Sequence, residues 1–251
     1  MRQQMDEKEI DKITNRFYSQ FCGTDLEGLS QGTHFICTEA RDQEVKGFGC
    51  KYTIYILCKE NLCVVSYAPQ YASFFEPLRG MDAEDILAAA GGMHRLKKMQ
   101  LMIFGKEYIT DYGNARILNR SDYSCYEAFF RAVSPAADPN GWLKDYFNEK
   151  AAKEYFVGYF VNGALVSVCD APDMPYMEDV IQHTGIETLP QERRKGYAKC
   201  TAALATHHLI ERCICPQWEC NASNIASIVL AESIGYKKFG LAYILEEHIN
   251  Q

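Results

Sequence analysis

Thr188-Leu189-Pro190-Gln191-Glu192-Arg193-Arg194-Lys195-Gly196-Tyr197-Ala198 is the stretch on which the fold turns. Upstream of it, Ile186 to Leu189 is extended and ends at a proline. Downstream, Lys199 to Arg212 is an uninterrupted helical run. Between them stand three successive cations, Arg193, Arg194 and Lys195, followed by Gly196-x-Ala198. A strand that stops at a basic, glycine-containing turn and then opens a helix makes an anion site. The first N–H groups of a helix lack an internal partner, and the helix dipole places partial positive charge there. Gly196 and Ala198 leave the backbone open to close approach. The ligand that fits such a loop is a phosphate or pyrophosphate. A Walker loop would need four residues between its glycines and a Lys-Ser/Thr end, and a dinucleotide loop would need three glycines. Neither pattern is present.

A second block lies downstream. Residues 218–236 read Trp-Glu-Cys-Asn-Ala-Ser-Asn-Ile-Ala-Ser-Ile-Val-Leu-Ala-Glu-Ser-Ile-Gly-Tyr. The pattern is a strand, then Asn224-x-x-Ser227 opening a helix, then Gly235-Tyr236 closing it. Ser223 is the expected N-cap for a helix from Asn224 to Ile234, and Gly235 its C′ glycine. Ile225, Ile228, Val229 and Leu230 are the expected apolar face. Arg193-x-x-Gly196-x-Ala198, with Pro190 ahead of it, resembles the pyrophosphate loop of the GCN5-related N-acetyltransferases (GNAT). The second block resembles the segment that follows the loop in that family. The resemblance covers roughly residues 112–251 and is specific in these two blocks.

Length and composition fit that picture. The chain has 251 residues, enough for two domains of about 110 and 140 residues. It is 47% hydrophobic and 24% charged, ordinary for a globular protein. A net charge of −7 argues against general binding to nucleic acid or anionic membranes, so the basic triplet stands out. The N-terminus has no apolar core of signal-peptide type, and no run approaches the ~20 apolar residues of a membrane span. Eleven cysteines without a secretion signal read as reduced, mostly buried thiols in the cytoplasm.

The expected elements run as follows. Residues 5–22 form an amphipathic helix carrying Ile10, Ile13, Phe17 and Phe21 at helical spacing. Residues 33–39 form a strand. Tyr52–Leu57 and Leu62–Tyr67 form a hairpin. Asp82 caps a helix to Ala90 that Gly91-Gly92 breaks. Met93 to Phe104 is expected as a second helix, with Arg95, Lys97 and Lys98 outside. A boundary is placed near 105–115, dividing an N-terminal α/β domain (1–110) from a second domain (111–251). After it come a strand at Ala115–Leu118, a helix over Asp122–Val133 opened by Ser121 or Asp122, and a short helix over Trp142–Lys150. A hairpin then joins Tyr155–Phe160 to Ala164–Cys169 around Asn162-Gly163. Asp179 to Leu189 carries the central strand, and Leu241 to Leu245 a weaker last strand. The order is β-α-α-β-β-β-α-β-α-β, which the GNAT resemblance implies as well. The expected fold class is α/β (α+β): a mixed, mostly antiparallel sheet flanked by helices, preceded by a smaller α/β domain that is structural or walls the substrate pocket. Some GNAT proteins carry a degenerate second copy of the fold at that position.

The resemblance implies acetyl-CoA as cosubstrate. Its pyrophosphate would sit on the N–H groups of Arg194 to Lys199, hence on Gly196, Tyr197 and Ala198, with Arg193, Arg194 and Lys195 adding charge. The pantetheine arm would pair with the backbone of Glu187 to Leu189, through Thr188, in a gap where the central strand splays from the next. Asn224 and Ser227 match polar contacts to the cofactor arm; the plainer alternative for both is helix-start hydrogen bonding. An amine would attack the thioester carbonyl directly, which needs a proton acceptor and a backbone N–H for the oxyanion. Glu187 is the first candidate for the base, against a carboxylate that binds a cationic substrate or caps the loop. His183 is a second candidate, against a packed histidine. The family's tyrosine near the closing Gly-aromatic pair aligns with Ala231, so no general acid is assigned; Tyr236 and Tyr243 read as packing residues. The zinc reading of His207, His208, Cys213, Cys215 and Cys220 fails on spacing, and no metal is expected. The expected acceptor is a small-molecule amine, cationic if Glu187, Glu178 or Asp179 lines the pocket. A homodimer is compatible with the sequence. The rival readings are a non-catalytic acyl-CoA-binding module, a protein-interaction module built on the N-terminal half, and an acyltransferase for longer chains.

Overall fold

The computed structural model describes residues 5–93, 95–105 and 109–249. In chain order the elements are α1 (Glu7–Cys22), β1 (Gly32–Cys37), β2 (Glu44–Val45), β3 (Cys50–Lys59), β4 (Leu62–Tyr67), α2 (Ala72–Phe75), α3 (Ala83–Met93) and β5 (Lys97–Phe104). There follow β6 (Ala115–Ile117), α4 (Tyr123–Val133), α5 (Leu143–Ala152), β7 (Val157–Val161), β8 (Ala164–Asp170), β9 (Ile181–His183) and β10 (Gly185–Thr188). The chain ends with α6 (Tyr197–Glu211), β11 (Cys215–Asn221), α7 (Ile225–Glu232) and β12 (Tyr236–His248). From β6 onward this is the expected order, with the central strand divided in two. The fold is mixed α/β, with mostly antiparallel pairing and helices flanking the sheets.

Two sheets carry the molecule. The larger runs β1-β4-β3-β12-β5-β11-β9, with β2 paired to β3; the smaller runs β10-β8-β7-β6. The chain passes from one sheet to the other at Thr184. On its upstream side β9 pairs parallel with β11, and on its downstream side β10 pairs antiparallel with β8. Thr184 is the last anchor to β11: its N–H donates to Gln217 O at 3.2 Å and its hydroxyl to the same oxygen at 3.3 Å. Gly185 then turns the strand away. A β-carbon on Gly185 would stand 2.0 Å from Asp170 Oδ1, so the residue is small because β8 lies against it.

Three expectations about single elements are corrected. Residues 97–104 form a strand, not the continuation of a helix from Met93. Gln100 to Phe104 are buried, and β5 lies antiparallel between β11 and β12. A short apolar run buried on both faces has no period to tell strand from helix, and the neighbouring strands decided it. Arg95, Lys97 and Lys98 are exposed as expected. α3 runs through Gly91 and Gly92 to Met93, its start capped by Asp82, which accepts from the N–H of Asp85 at 3.0 Å. α4 begins at Tyr123 rather than Asp122; Asp122 is its N-cap residue, one of the two expected, though its side chain accepts no bond from that helix, and Asn119 caps the 120–122 turn ahead of it, with Asp122 accepting the Asn119 N–H in return. Residues 106–108, within the expected boundary, lie outside the described residues. The larger sheet is continuous across that boundary, since β5 precedes it and β11 and β12 follow it.

The main core gathers α1, the large sheet and α6, with Phe17, Tyr18, Trp218 and Phe104 fully enclosed. A second core under α4 and α5 is built on Phe147 and Phe156. Six of the eleven cysteines are buried. No helix among the described residues is long and apolar enough to cross a membrane.

Candidate functional site

Where β10 leaves β11 a cleft opens, about 550 Å³ in volume, with β10 and the 190–199 loop on one wall and the start of α7 on the other. The strand register says which backbone groups face it. Leu189 N–H donates to Val166 O at 3.0 Å, so Leu189, Glu187 and Gly185 are the residues whose peptide groups bond β8. Those of Ile186 and Thr188 therefore point away from β8, into the cleft. On β11 the alternation runs the same way. Cys215 N–H donates to Val180 O at 2.9 Å and Gln217 O receives Thr184 N–H, so the odd-numbered residues face β9. Two residues beyond Gln217, where the pairing with β9 has ended, the peptide groups of Glu219 have no strand partner on that side. On the β10 edge the Ile186 peptide is free of a strand partner, while Thr188 N–H donates to Glu187 Oε1 at 3.4 Å and its carbonyl accepts from Arg193 Nε at 3.1 Å, side-chain bonds that an extended amide-bearing ligand would replace.

The cleft runs into the start of α6. Pro190–Glu192 is a single 3-10 turn, and Arg194 and Gly196 both take positive φ, +64° and +86°. A β-carbon on Gly196 would meet nothing within 4 Å, so glycine serves the backbone conformation and leaves the approach open. α6 has no side-chain N-cap. From Arg194 to Lys199 no backbone N–H has an acceptor among the described residues; the first helical bond is Cys200 N–H to Gly196 O. These donors and the dipole behind them make an anion cradle.

The four cations of the loop divide into two pairs. Arg193 is committed, its Nη2 to Glu187 Oε1 at 2.9 Å and its Nε to Thr188 O at 3.1 Å. Lys195 pairs with Glu192 at 2.9 Å, which raises the lysine's pKa, and it does not line the cleft. Arg194 and Lys199 line the cleft, are exposed and have no side-chain partner among the described residues. Tyr197 is held by stacking on Tyr159, ring centres 4.5 Å apart. Leu189 sits elsewhere: its N–H goes to β8, its carbonyl accepts from Glu192, and its side chain packs under α4. Of the expected site residues, Glu187, Thr188, Arg193, Arg194, Gly196, Tyr197, Ala198, Lys199, Asn224 and Ser227 line the cleft, while Leu189 and Lys195 do not.

Asn224, not Ser223, is the N-cap of α7. Its Oδ1 accepts from Ser227 N–H at 3.2 Å, and Ser223 turns back to Asn221. Ser227 Oγ in turn accepts from Trp218 Nε1 at 3.0 Å. Helix-start bonding is therefore present at both residues, and both still border the cleft with Ala226 and Leu230. Ile225 and Val229, expected on the apolar face, are 63% and 56% exposed; Ile228 and Ala231 make the buried face instead. Ala231 is fully enclosed. Tyr236 and Tyr243 pack in the two cores flanking β12, with the Tyr236 hydroxyl 3.0 Å from Thr206 Oγ1.

Glu187 is half exposed and held by Arg193, so a role as base requires that pair to open. His183 is packed against Phe17, ring centres 5.5 Å apart. Burial lowers its pKa to about 4, and its Nε2 has no protein partner among the described residues. Glu178 and Asp179 are tied to Lys153 and lie off the cleft. His207 meets Tyr112 and His208 meets Glu154. Among the described residues no group of three or more His, Cys, Asp or Glu side chains could hold a metal.

Sequence reasoning missed Glu219 and Asp170. Burial pushes Asp170 up to about 6, with the Glu187 charge adding to the effect. Burial pushes Glu219 up to about 7, against a hydrogen bond from Tyr18. The signal for Glu219 was Gln217-x-Glu219, two polar residues on one face of a strand otherwise buried.

Residues 144–243 match the family model for GNAT acetyltransferase. No curated protein matches the chain. Among solved structures, a GNAT-family acetyltransferase from Colwellia psychrerythraea is similar with a TM-score of 0.50 at 13% identity, over 59% of this chain and 55% of its own. A putative GNAT acetyltransferase from Novosphingobium aromaticivorans is similar with a TM-score of 0.46 at 20% identity, over 62% of this chain and 66% of its own. The PaiA N-acetyltransferase from Thermoplasma acidophilum, solved in complex with coenzyme A, is similar at 0.39 and 12%, over 51% of this chain and 96% of its own. The chain thus spans 55% and 66% of the lengths of the first two. The split strand, the uncapped helix start and the family match fall on one stretch of chain: residues 144–243 carry a domain of the GNAT acetyltransferase family.

Proposed function

We propose that this chain is an acyltransferase that moves an acetyl group from acetyl-CoA to a primary amine of a small molecule, by direct attack on the thioester. The observation that carries this reading is the cleft whose β10 edge leads straight into the uncapped start of α6. Its residues fit an extended amide chain ending in a pyrophosphate. The N–H groups of Arg194 to Lys199 would hold the anion, Arg194 and Lys199 would neutralise it, and Ile186 and Thr188 would pair with the arm. Bound acetyl-CoA would supply an activated carbonyl with a thiolate leaving group. Arg193, braced by Glu187 and Thr188 O, holds the loop in register. A backbone N–H on the edge of β11 that β9 leaves unpaired, that of Glu219, would stabilise the oxyanion. The N-terminal segment, 1–110, acts as scaffold and pocket wall. Eleven cysteines, six of them buried, suit a reducing compartment, and we place the protein in the cytoplasm.

Calorimetric titration with acetyl-CoA and CoA tests the reading. Micromolar binding is expected for the wild type, and loss of binding for Gly196→Glu, whose carboxylate would occupy the anion site. Arg194→Glu is the companion variant. Its side chain has no partner among the described residues, so the fold is expected to stay intact while affinity falls about tenfold, or ~1.4 kcal/mol. A folded wild type that binds neither ligand would overturn the proposal. A second reading, binding without turnover, is favoured by Ala231, a buried alanine where the family resemblance expects an acid. Release of free CoA in the presence of amines distinguishes the two.

A further inference from the structure

The hairpin of β3 and β4 carries two cysteines, Cys58 and Cys63, that take no part in the acyl-CoA cleft. Only Glu60 and Asn61 join the strands, with Glu60 at a φ of +51°. A two-residue turn fixes the register of the strands it joins, and this one sets Cys58 directly opposite Cys63. The ladder shows which kind of pair they make. Ala68 N–H donates to Thr53 O at 2.9 Å, so Thr53 and Ala68 are a hydrogen-bonded pair. Pairs alternate along an antiparallel ladder, and Cys58 lies five residues on from Thr53, so Cys58 and Cys63 are a non-hydrogen-bonded pair. The other edge of β4 agrees. Asn61 O and Tyr67 O accept from Gly32 and Thr38, so the odd-numbered residues turn their peptide groups to β1 and away from β3. In a non-hydrogen-bonded pair the Cα atoms approach to about 4.5 Å and the side chains converge. A disulfide spans Cα separations of roughly 4.4–6.8 Å. The two sulfurs are 3.2 Å apart.

The pair can be reached from outside. Both cysteines border an open pocket of about 600 Å³, walled by Gly32 and Thr33 at the start of β1 and by Met81 and Asp82 ahead of α3. Cys58 is partly exposed, whereas Cys63 is 3% exposed and belongs to the core that holds Val65 and Ile86. One thiol therefore stands in front and the other behind it. The two also differ in acidity. The hydrogen bond with Cys63 holds the Cys58 thiol below its ordinary value, and the Lys98 ammonium helps. Lys98 lies over the Tyr243 ring, 5.4 Å from its centre, and Tyr243 pairs with Ile56, two residues before Cys58 on the same face. The same hydrogen bond, with burial, pushes the Cys63 thiol up. Burial alone dominates at Cys22 and Cys215, whose thiols are pushed up to about 12. The thiolate is the nucleophilic form. Cys58 is accordingly the thiol set to attack, and Cys63, already in contact with it, the thiol set to resolve.

We propose that Cys58 and Cys63 form a peroxide-reactive dithiol, in which Cys58 attacks a hydroperoxide and Cys63 closes a cross-strand disulfide. The proposal stands apart from the acyl-CoA reading and does not depend on it. In the first step the Cys58 thiol gives up its proton and its Sγ bonds one peroxide oxygen. The O–O bond breaks, and the leaving oxygen takes that proton and departs as an alcohol or, from hydrogen peroxide, as water. Cys58 is then a sulfenic acid. In the second step the Cys63 Sγ bonds the Cys58 Sγ and the S–O bond breaks. The departing hydroxide takes the Cys63 proton and leaves as water. Two thiols have lost two electrons and two protons, and the hydroperoxide has gained them as alcohol and water. Exchange with a small thiol returns the pair to its reduced form, as suits a disulfide made transiently in a reducing compartment. While it lasts, the bond ties the tip of the hairpin, whose Lys59 reaches Asn15 Oδ1 on α1 at 3.0 Å.

Treatment of the full chain with one equivalent of hydrogen peroxide, then alkylation of the remaining thiols, tryptic digestion and mass spectrometry, reads the product directly. Trypsin cuts after Lys59, between the two cysteines, so the disulfide joins peptide 52–59 to peptide 60–79, each with a single cysteine. This linked pair is expected to be the main oxidised product and to disappear on reduction with dithiothreitol. Cys58→Ser is expected to consume peroxide about tenfold more slowly than wild type. Cys63→Ala keeps the attacking thiol and removes the resolving one, so Cys58 is expected to stop at the sulfenic acid, which dimedone labels. Links between other cysteines in place of this one would overturn the proposal. So would oxidation of the exposed Cys37 and Cys213 while Cys58 and Cys63 are still alkylated, or a Cys58→Ser variant that consumes peroxide within about twofold of the wild-type rate. The wild-type digest decides the disulfide even where a variant fails to fold.

Discussion

A β-carbon at position 185 would stand 2.0 Å from Asp170 Oδ1 and 3.1 Å from its Cγ, both in one side chain. Gly185→Ala is expected to cost about 1–3 kcal/mol, the usual range for overpacking. The cost should fall by about half or more when Asp170→Ala is made as well, because the clash has one partner. Urea denaturation of the two single variants and the double measures the coupling; additive losses would place the strain elsewhere. Titration offers a second residue-level prediction. Glu219 is raised in the fold, from 4.5 to about 7, so the native state binds the extra proton. Its favourable contribution is complete below the unfolded pKa and is lost as pH rises through about 7. His183 is lowered from 6.5 to about 4, and its contribution has the opposite slope: complete above 6.5 and lost as pH falls through about 4. The two oppose each other between pH 4.5 and 6.5, so the wild-type profile hides both. Glu219→Gln removes the descending limb. Its stability relative to wild type is expected to rise by about 1–3 kcal/mol between pH 5 and pH 8, and a difference that does not change with pH would refute the raised carboxyl.

At the scale of elements, the helix start at α7 separates two sequence signals that looked equivalent. Asn224 caps the helix and Ser223 does not, so Asn224→Ala is expected to cost about 1 kcal/mol and Ser223→Ala a few tenths at most. Thermal melts of the two variants check this, and the reverse order would restore Ser223 as the cap. The same contrast shows what was legible in the chain. The α6 loop could be read because its signals are local: a proline, a glycine needing positive φ, clustered charge and a following helical run. β7 and β8 could be read because Asn162-Gly163 fixes their turn. β5 could not, since Leu101 to Phe104 is apolar on both faces and only the strands on either side make it extended. Nor could the aromatic face under α1, where Phe21 stacks on Tyr52 and Tyr55. Tyr52 and Tyr55 share it through a bulge at Thr53 that no residue in the segment announces, and the Tyr18 hydroxyl meets Gln217 across 199 positions of sequence. The base candidate drawn from the sequence, Glu187, was found by its nearness to the loop, and that same nearness binds it to Arg193.

At the scale of the whole molecule, the sheet makes the two halves of the chain interdependent. β5, from before residue 110, is hydrogen-bonded along both edges, to β11 on one side and β12 on the other. It buries Leu101, Met102, Ile103 and Phe104 to 2% exposure or less. At about 1.5–3 kcal/mol for each such side chain, β5 contributes on the order of 6–12 kcal/mol, which rivals the ~5–15 kcal/mol total stability of an ordinary domain. Without it β11 and β12 would face each other across a missing strand, with unpaired edges prone to association. Residues 111–251 expressed alone are therefore expected to lack a cooperative melt and to bind no CoA, although every residue of the anion cradle is present. Adding the 1–110 segment in trans, or fusing 95–105 through a flexible linker, is expected to restore some cooperativity, the linker version only if its length spans the gap. Circular dichroism melts and CoA titration of the three forms decide the matter. A 111–251 fragment that melts cooperatively and binds CoA as tightly as the full chain would show that β5 completes the sheet without being needed for it.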